Sequence, residues 1–170
     1  MNVSALDEAP QEQAREVLVA CCGAAPWVEA MLASRPFGDR ERLLAAADRA
    51  WAVLSPEQIG DAIARHPRLG ESRARTAVSA RECTWSAGEQ AGVADADEGA
   101  RAALARGNED YERRFGHTFI LCATGLAPDA MLSALRERLA NDEKTERAIT
   151  ARELHRITRL RLEKLIREDA

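Results

Sequence analysis

The sequence predicts an all-α fold, a single-domain helical bundle of about eight helices with no significant sheet. Three observations lead there. Hydrophobic residues make up 46% of the chain but aromatic ones only 4%, a balance rich in alanine that suits closely packed helices better than a β-sandwich. Apolar residues recur at three- and four-residue spacing in most segments. One apolar run alone, 118–123, reads as β-like, and it has no evident partner strand. The 170 residues are enough for one domain, 1–170, with a sizeable core.

The elements follow in order. Residues 10–22 form a helix with Ala14, Val17, Leu18 and Cys21 on one face and Gly23 as its stop. A short helix over 24–34 carries Trp27 and Met31, and 35–38 (Arg-Pro-Phe-Gly) is a turn. Asp39 caps a helix over 40–54 whose buried stripe is Leu43, Leu44, Ala47, Trp51 and Leu54. Core packing accounts for both Trp27 and Trp51. Ser55-Pro56-Glu57-Gln58 starts the next helix: Ser55 caps, Pro56 suits the first helical position, and Gln58 completes a capping box. Pro67 ends it, because the residue before proline is pushed out of the α region.

Residues 68–80 are polar and read as a loop. Its Arg68, Arg73 and Arg75 either draw an anion toward a nearby pocket or, as is commoner for such charges, are simply solvated. A helix is expected from Ser86, although Gly88 and Gly92 are poor helix residues. Either that helix is short or another backbone approaches it closely. A longer helix with Leu104, Asn108 and Tyr111 at helical spacing ends at Phe115-Gly116. Pro128 opens a helix over 129–139, and a long last helix covers 143–167. There Leu154, Ile157, Arg161 and Leu165 share a face. An arginine on such a face either snorkels to solvent or meets an anion, which it can grip with two parallel hydrogen bonds.

Composition narrows the function. The net charge of −4 and pI of about 5.5 leave no basic excess to neutralise phosphates, so nucleic acid is not expected as a partner. No apolar run is long enough to cross a bilayer. Residues 1–8 lack the regions of a secretory leader, so a cytoplasmic location is expected. Cys21, Cys22, Cys83 and Cys122 form no C-x-x-C pair and read as reduced, mostly buried thiols. His66, His117 and His155 match no metal-ligand spacing, and no P-loop or dinucleotide fingerprint is present; neither a metal nor a cofactor is expected.

The chemistry concentrates in two turns. His66 precedes Pro67 at a helix C-terminus, where the helix dipole favours imidazolium. Ser86-Ala87-Gly88-Glu89 fits an S-x-x-E capping box, which puts Glu89 in a first turn where free N–H groups favour a carboxylate. If these two ends face each other, a proton donor and an acceptor line one pocket. Ordinary capping explains each motif equally well, so spacing leaves an enzyme and an inert helical module both open.

Further motifs extend the pattern: Pro26-Trp27, Arg35-Pro36-Phe37, His66-Pro67-Arg68-Leu69-Gly70, Ser86-x-x-Glu89-Gln90-x-Gly92, Tyr111-x-x-x-Phe115-Gly116, Phe119-Ile-Leu-Cys-Ala123 and Arg161-Leu162. In their order and spacing, over nearly the whole chain, they resemble the 2-oxo-4-hydroxy-4-carboxy-5-ureidoimidazoline (OHCU) decarboxylases, which complete the route from urate to (S)-allantoin. The resemblance implies an all-helical enzyme without cofactor or metal, commonly a homodimer, acting on a small anionic ureidoimidazoline. It implies His66 as catalytic proton donor and Glu89 as a second catalytic residue. It implies substrate contacts at Pro67, Ser86, Ala87, Gly88, Gln90, Leu121, Cys122, Ala123, Thr124 and Gly125, with Arg161 as anchor for the substrate's charge. His117-Thr118 departs from the more apolar pair usual in the family, and Thr124-Gly125 differs at the expected pocket rim. Two rival readings stand beside this one: a non-catalytic helical module binding a small anion or a partner helix, and a ureide hydrolase using Glu89 as base.

Overall fold

The computed structural model describes residues 1–70, 80–89, 91–94 and 96–167, with backbone alone at 80–83, 87, 91 and 94. Among the described residues the fold is all-α. Ten helices follow in order: α1 (Val3–Glu8), α2 (Gln11–Cys21), α3 (Ala25–Ala33), α4 (Arg40–Ala52), α5 (Pro56–Ala64), α6 (Ala80–Glu89), α7 (Ala91–Ala94), α8 (Glu98–Phe115), α9 (Pro128–Leu139) and α10 (Glu143–Arg167). Helix α1 is an addition to the eight expected from the sequence.

The chain forms two compact units, Met1–Ala62 with His155–Ala170, and Ile63–Leu154. In the first, α3 packs on α2 and on α4. Leu6, Leu18, Trp27, Met31 and Leu43 are fully buried there, and the Trp27 indole N–H donates to the Ala47 carbonyl at 3.1 Å. Helix α1 is too short to stand alone. Its Asp7 carboxylate accepts the Phe37 and Gly38 N–H groups, each at 2.8 Å, while Arg35 donates to the Asp7 carbonyl at 2.6 Å. Trp51 departs from expectation. It is half-buried rather than core, and its ring stacks on His155 at 5.0 Å between centroids.

Local signals set the helix ends. Asp39 accepts from the Arg42 N–H at 2.8 Å. Ser55 and Gln58 form the reciprocal capping box: the Ser55 N–H donates to Gln58 Oε1 at 3.0 Å and the Gln58 N–H to Ser55 Oγ at 3.3 Å. Gly116 closes α8 with φ 74°, the left-handed conformation that glycine adopts at least cost.

The second unit is built on α8 against α9. Leu69, Val93, Leu104, Tyr111, Phe119, Ala123, Met131, Leu132 and Leu135 form its apolar core. Beside that core lies a buried polar network. The Arg138 Nε–H donates to Glu146 Oε1 at 2.8 Å, and Arg138 Nη2 donates to Thr150 at 2.9 Å. The Tyr111 hydroxyl donates to Glu146, and Asn141 Nδ2 donates to the other carboxylate oxygen at 2.7 Å. Arg138 also lies over the Phe119 ring, 4.6 Å from its centroid. Burial works to raise the Glu146 carboxyl; hydrogen bonds from Arg138, Tyr111 and Asn141 outweigh it and hold the group below the usual carboxylate range. Burial and the neighbouring carboxylate push the Tyr111 hydroxyl well above the ordinary phenol.

Candidate active site

His66 stands just beyond α5, half-buried, with its backbone N–H on the Ile63 carbonyl at 2.9 Å. This is the position Pro67 implied. The turn that follows is pinned from α8. Asn108, 2% exposed, donates from Nδ2 to the Leu69 carbonyl at 2.8 Å. Gly70 then takes φ 90°, leaving its missing Cβ 3.5 Å from Val93 Cγ1. Arg68 is neither simply solvated nor open to an anion along its whole fork. Its Nε and Nη2 donate to the two carboxylate oxygens of Glu112 at 2.7 and 2.5 Å, a bidentate pair within the unit. Arg73 and Arg75 lie outside the described residues.

Glu89 requires a correction. Helix α6 (Ala80–Glu89) is already helical at Ala80, so Ser86 and Glu89 lie well past its start. The S-x-x-E stretch is therefore not a capping box, and no N-terminal dipole of α6 acts on Glu89. The side chain is buried, 8% exposed, while Ser86 is half-buried and Gly88 exposed. Ala87 is helical, and Gln90 lies outside the described residues.

Gly92, within α7, is held to glycine by its surroundings. A Cβ there would fall 2.3 Å from the Leu126 carbonyl oxygen and 3.1 Å from Met131 Cε. The close approach implied by a glycine in this stretch is real, and it presses α7 against the chain just past Gly125. Gly92→Ala should cost about 1–3 kcal/mol through overpacking against backbone. Gly88→Ala, with open space around its Cβ, should be neutral or gain up to about 1 kcal/mol. Thermal melts of the two variants measure the contrast, and equal stabilities would mean that α7 does not lie against Leu126.

The run 118–123 contains neither helix nor turn. Leu121 is half-buried, Cys122 and Ala123 are buried, and Thr124 and Gly125 are exposed in the turn that follows. Gly125 has φ 78° there, and the Leu126 N–H returns to the Ala123 carbonyl at 3.0 Å. Cys21, Cys22 and Cys122 are buried and outside any disulfide, as read from the sequence; nothing is described of the Cys83 side chain.

Three of the sequence-predicted segments are thus gathered on one core. Leu69 follows His66-Pro67, Val93 follows Glu89, and Ala123 sits within 121–125; all three belong to the same cluster. A separate cleft of about 170 Å³ is lined by Leu69, Gly70, Val93 and Asn108 among others, and His66 and Glu89 are not part of its lining. Arg161 belongs to the first unit. It is 3% exposed and donates to the Ala20 carbonyl at 3.2 Å, so it does not snorkel.

Sequence reasoning missed the buried polar residues Arg138, Glu146, Thr150 and Glu153. A signal was present in the last helix: Glu146, Thr150, Glu153 and Ile157 recur at four-, three- and four-residue spacing, a stripe of which only the later part, Ile157 and Arg161, was read.

Comparison with known proteins defines the class. A family model described as OHCU decarboxylase matches residues 7–163. With the helical fold, that places the chain among the all-α relatives of a carboxy-lyase family. The chain is 35% identical over 141 residues to the 2-oxo-4-hydroxy-4-carboxy-5-ureidoimidazoline decarboxylase of Haloferax volcanii, covering 81% of this chain and 79% of that protein. It is 31% identical over 151 residues to a uric acid degradation bifunctional protein of Arabidopsis thaliana, covering 88% of this chain but only 46% of the plant protein. A crystal structure of OHCU decarboxylase in the presence of (S)-allantoin superposes with a TM-score of 0.76 at 27% identity, covering 94% of this chain and all of the other. The chain belongs to the OHCU decarboxylase family.

Proposed function

We propose that this protein decarboxylates OHCU to (S)-allantoin with release of CO2, in urate breakdown. The observation that carries this reading beyond family membership is the shared core of Leu69, Val93 and Ala123, which gathers the His66 turn, the Glu89 end of α6 and the 121–125 segment.

The substrate makes the chemistry accessible to such a site. Its carboxylate sits on a carbon next to a ring C=N. When the bond to CO2 breaks, its electron pair forms a ring C=C and the C=N pair moves onto nitrogen. The substrate is its own electron sink, which is the work a cofactor would otherwise do. The enol that remains must be protonated at the ureido-bearing carbon on one face. The protein has to orient the carboxylate, stabilise developing charge and deliver that proton.

His66 is the proposed acid. Glu89 is assigned to the ureido or ring N–H groups and to the orientation of the imidazole. Pro67, Ser86, Ala87, Gly88, Gln90 and the residues from 121 to 125 are assigned to substrate contact, with Arg161 as the anchor for its negative charge. Burial of Glu89 and the close packing at Gly92 are consistent with these assignments. The protein is further proposed to act as a cytoplasmic homodimer, on the family resemblance. Among the described residues no helix is long and apolar enough to cross a membrane.

Circular dichroism of freshly generated urate-oxidation intermediates tests the reaction. Spontaneous protonation of the planar centre from both faces yields racemic allantoin. With the protein present, optical activity should grow as CO2 is released. Ammonia release or ring opening would instead indicate a hydrolase, and an unaltered racemate would leave the chain without this activity.

A further inference from the structure

The run 118–123 has the composition of a strand, but among the described residues no sheet receives it. A buried chain must still satisfy its peptide groups. Two of them are met by charged side chains from separate helices. Arg138 of α9 donates from Nη1 to the Ile120 carbonyl at 2.6 Å. The Cys122 N–H donates to Glu153 Oε2 of α10 at 3.0 Å. Arg138 is 6% exposed and Glu153 5%. Bonds to charged partners are stronger than those between neutral groups, so these two hold the segment firmly.

Their spacing is informative. The two bonds lie on either side of Leu121, within the stretch assigned to substrate contact. We propose that Glu153 and Arg138 are positioning residues, which fix the backbone on both sides of Leu121 and thereby set what 121–125 presents to the substrate. The inference rests on the reading of 121–125 as substrate contacts. Arg138 is also tied into the Glu146 network, so Glu153 is the residue varied.

Glu153→Gln keeps an acceptor for the Cys122 N–H, and Glu153→Leu removes it at similar volume. Steady-state kinetics on OHCU should show Glu153→Gln within about threefold of the parent protein. Glu153→Leu should raise KM at least about tenfold while kcat holds within about threefold. A role limited to stability would lower the folded fraction and kcat with KM unchanged, and that result would overturn the proposal; so would equal losses in both variants. If Glu153→Leu does not fold, Glu153→Asp, which keeps the charge but shortens its reach, decides by the same KM criterion. Hydrogen exchange at the Cys122 amide separates this inference from the proposed reaction. If the parent protein has no decarboxylase activity, the reaction is wrong, while at least about tenfold faster exchange in Glu153→Leu or Glu153→Asp still supports the tether. Unchanged exchange overturns it.

Discussion

His66→Asn should lower kcat/KM for OHCU by about 10²–10⁴-fold, the range by which a positioned acid accelerates proton transfer. The variant should fold normally, because His66 is half-buried in a turn after α5 and asparagine keeps the backbone bond to Ile63. Loss of the acid also has a stereochemical readout. Substrate continues to decay spontaneously, so allantoin still accumulates, but as a racemate. A polarimetric assay run beside CO2 detection measures the loss. Full retention of optically active product by His66→Asn would remove the imidazole from the mechanism and shift the proton to another donor.

Glu146→Leu should be the most damaging change to stability. It strands the Arg138 guanidinium, 6% exposed, without the carboxylate that receives it, and it removes the acceptor for Tyr111 and Asn141. Breaking one side of a buried pair costs about 3–5 kcal/mol, which corresponds to a fall in Tm of about 10 °C or more for a chain of this size. The double variant Arg138→Met with Glu146→Leu should recover part of the loss, because no buried charge is left unmatched. Thermal or urea unfolding decides, and a cost below about 1 kcal/mol would mean that water reaches the pair. The same group sets an acid limit. Its folded-state pKa is depressed below the ordinary 4.5. Its contribution is therefore complete above that value and lost as pH falls through the lower folded-state value. In Glu146→Leu this part of the acid sensitivity should vanish.

What the sequence made legible was local. Ser55 with Gln58, Asp39, Gly116 and Pro128 each act on peptide groups a few residues away, and each marks the helix boundary its chemistry implied. Gly92 was legible for a related reason: a glycine in a helical stretch has few explanations, and close backbone approach was the correct one. Errors arose where a distant partner decided. Ser86 to Glu89 matches a capping box, but α6 is already helical upstream at Ala80, where the residues lack an apolar period, and the local motif loses to tertiary context. Arg68 is claimed by Glu112, 44 residues away. Helix α1 depends on the turn that Asp7 holds some thirty residues on. The candidate site was legible mainly as a family pattern. The apparatus behind it, Arg138, Glu146 and Glu153, was hidden because charged residues on a helix usually indicate solvent.

The six residues from 118 to 123, Thr-Phe-Ile-Leu-Cys-Ala, carry no charge and no proline. Such a hexapeptide is prone to stack with copies of itself once its main chain is released. In the native protein the Ile120 carbonyl and the Cys122 amide are already occupied by Arg138 and Glu153, so intermolecular pairing has to compete with two ionic tethers. Damage to those tethers therefore carries a colloidal liability: the released segment becomes a nucleus for insoluble assembly.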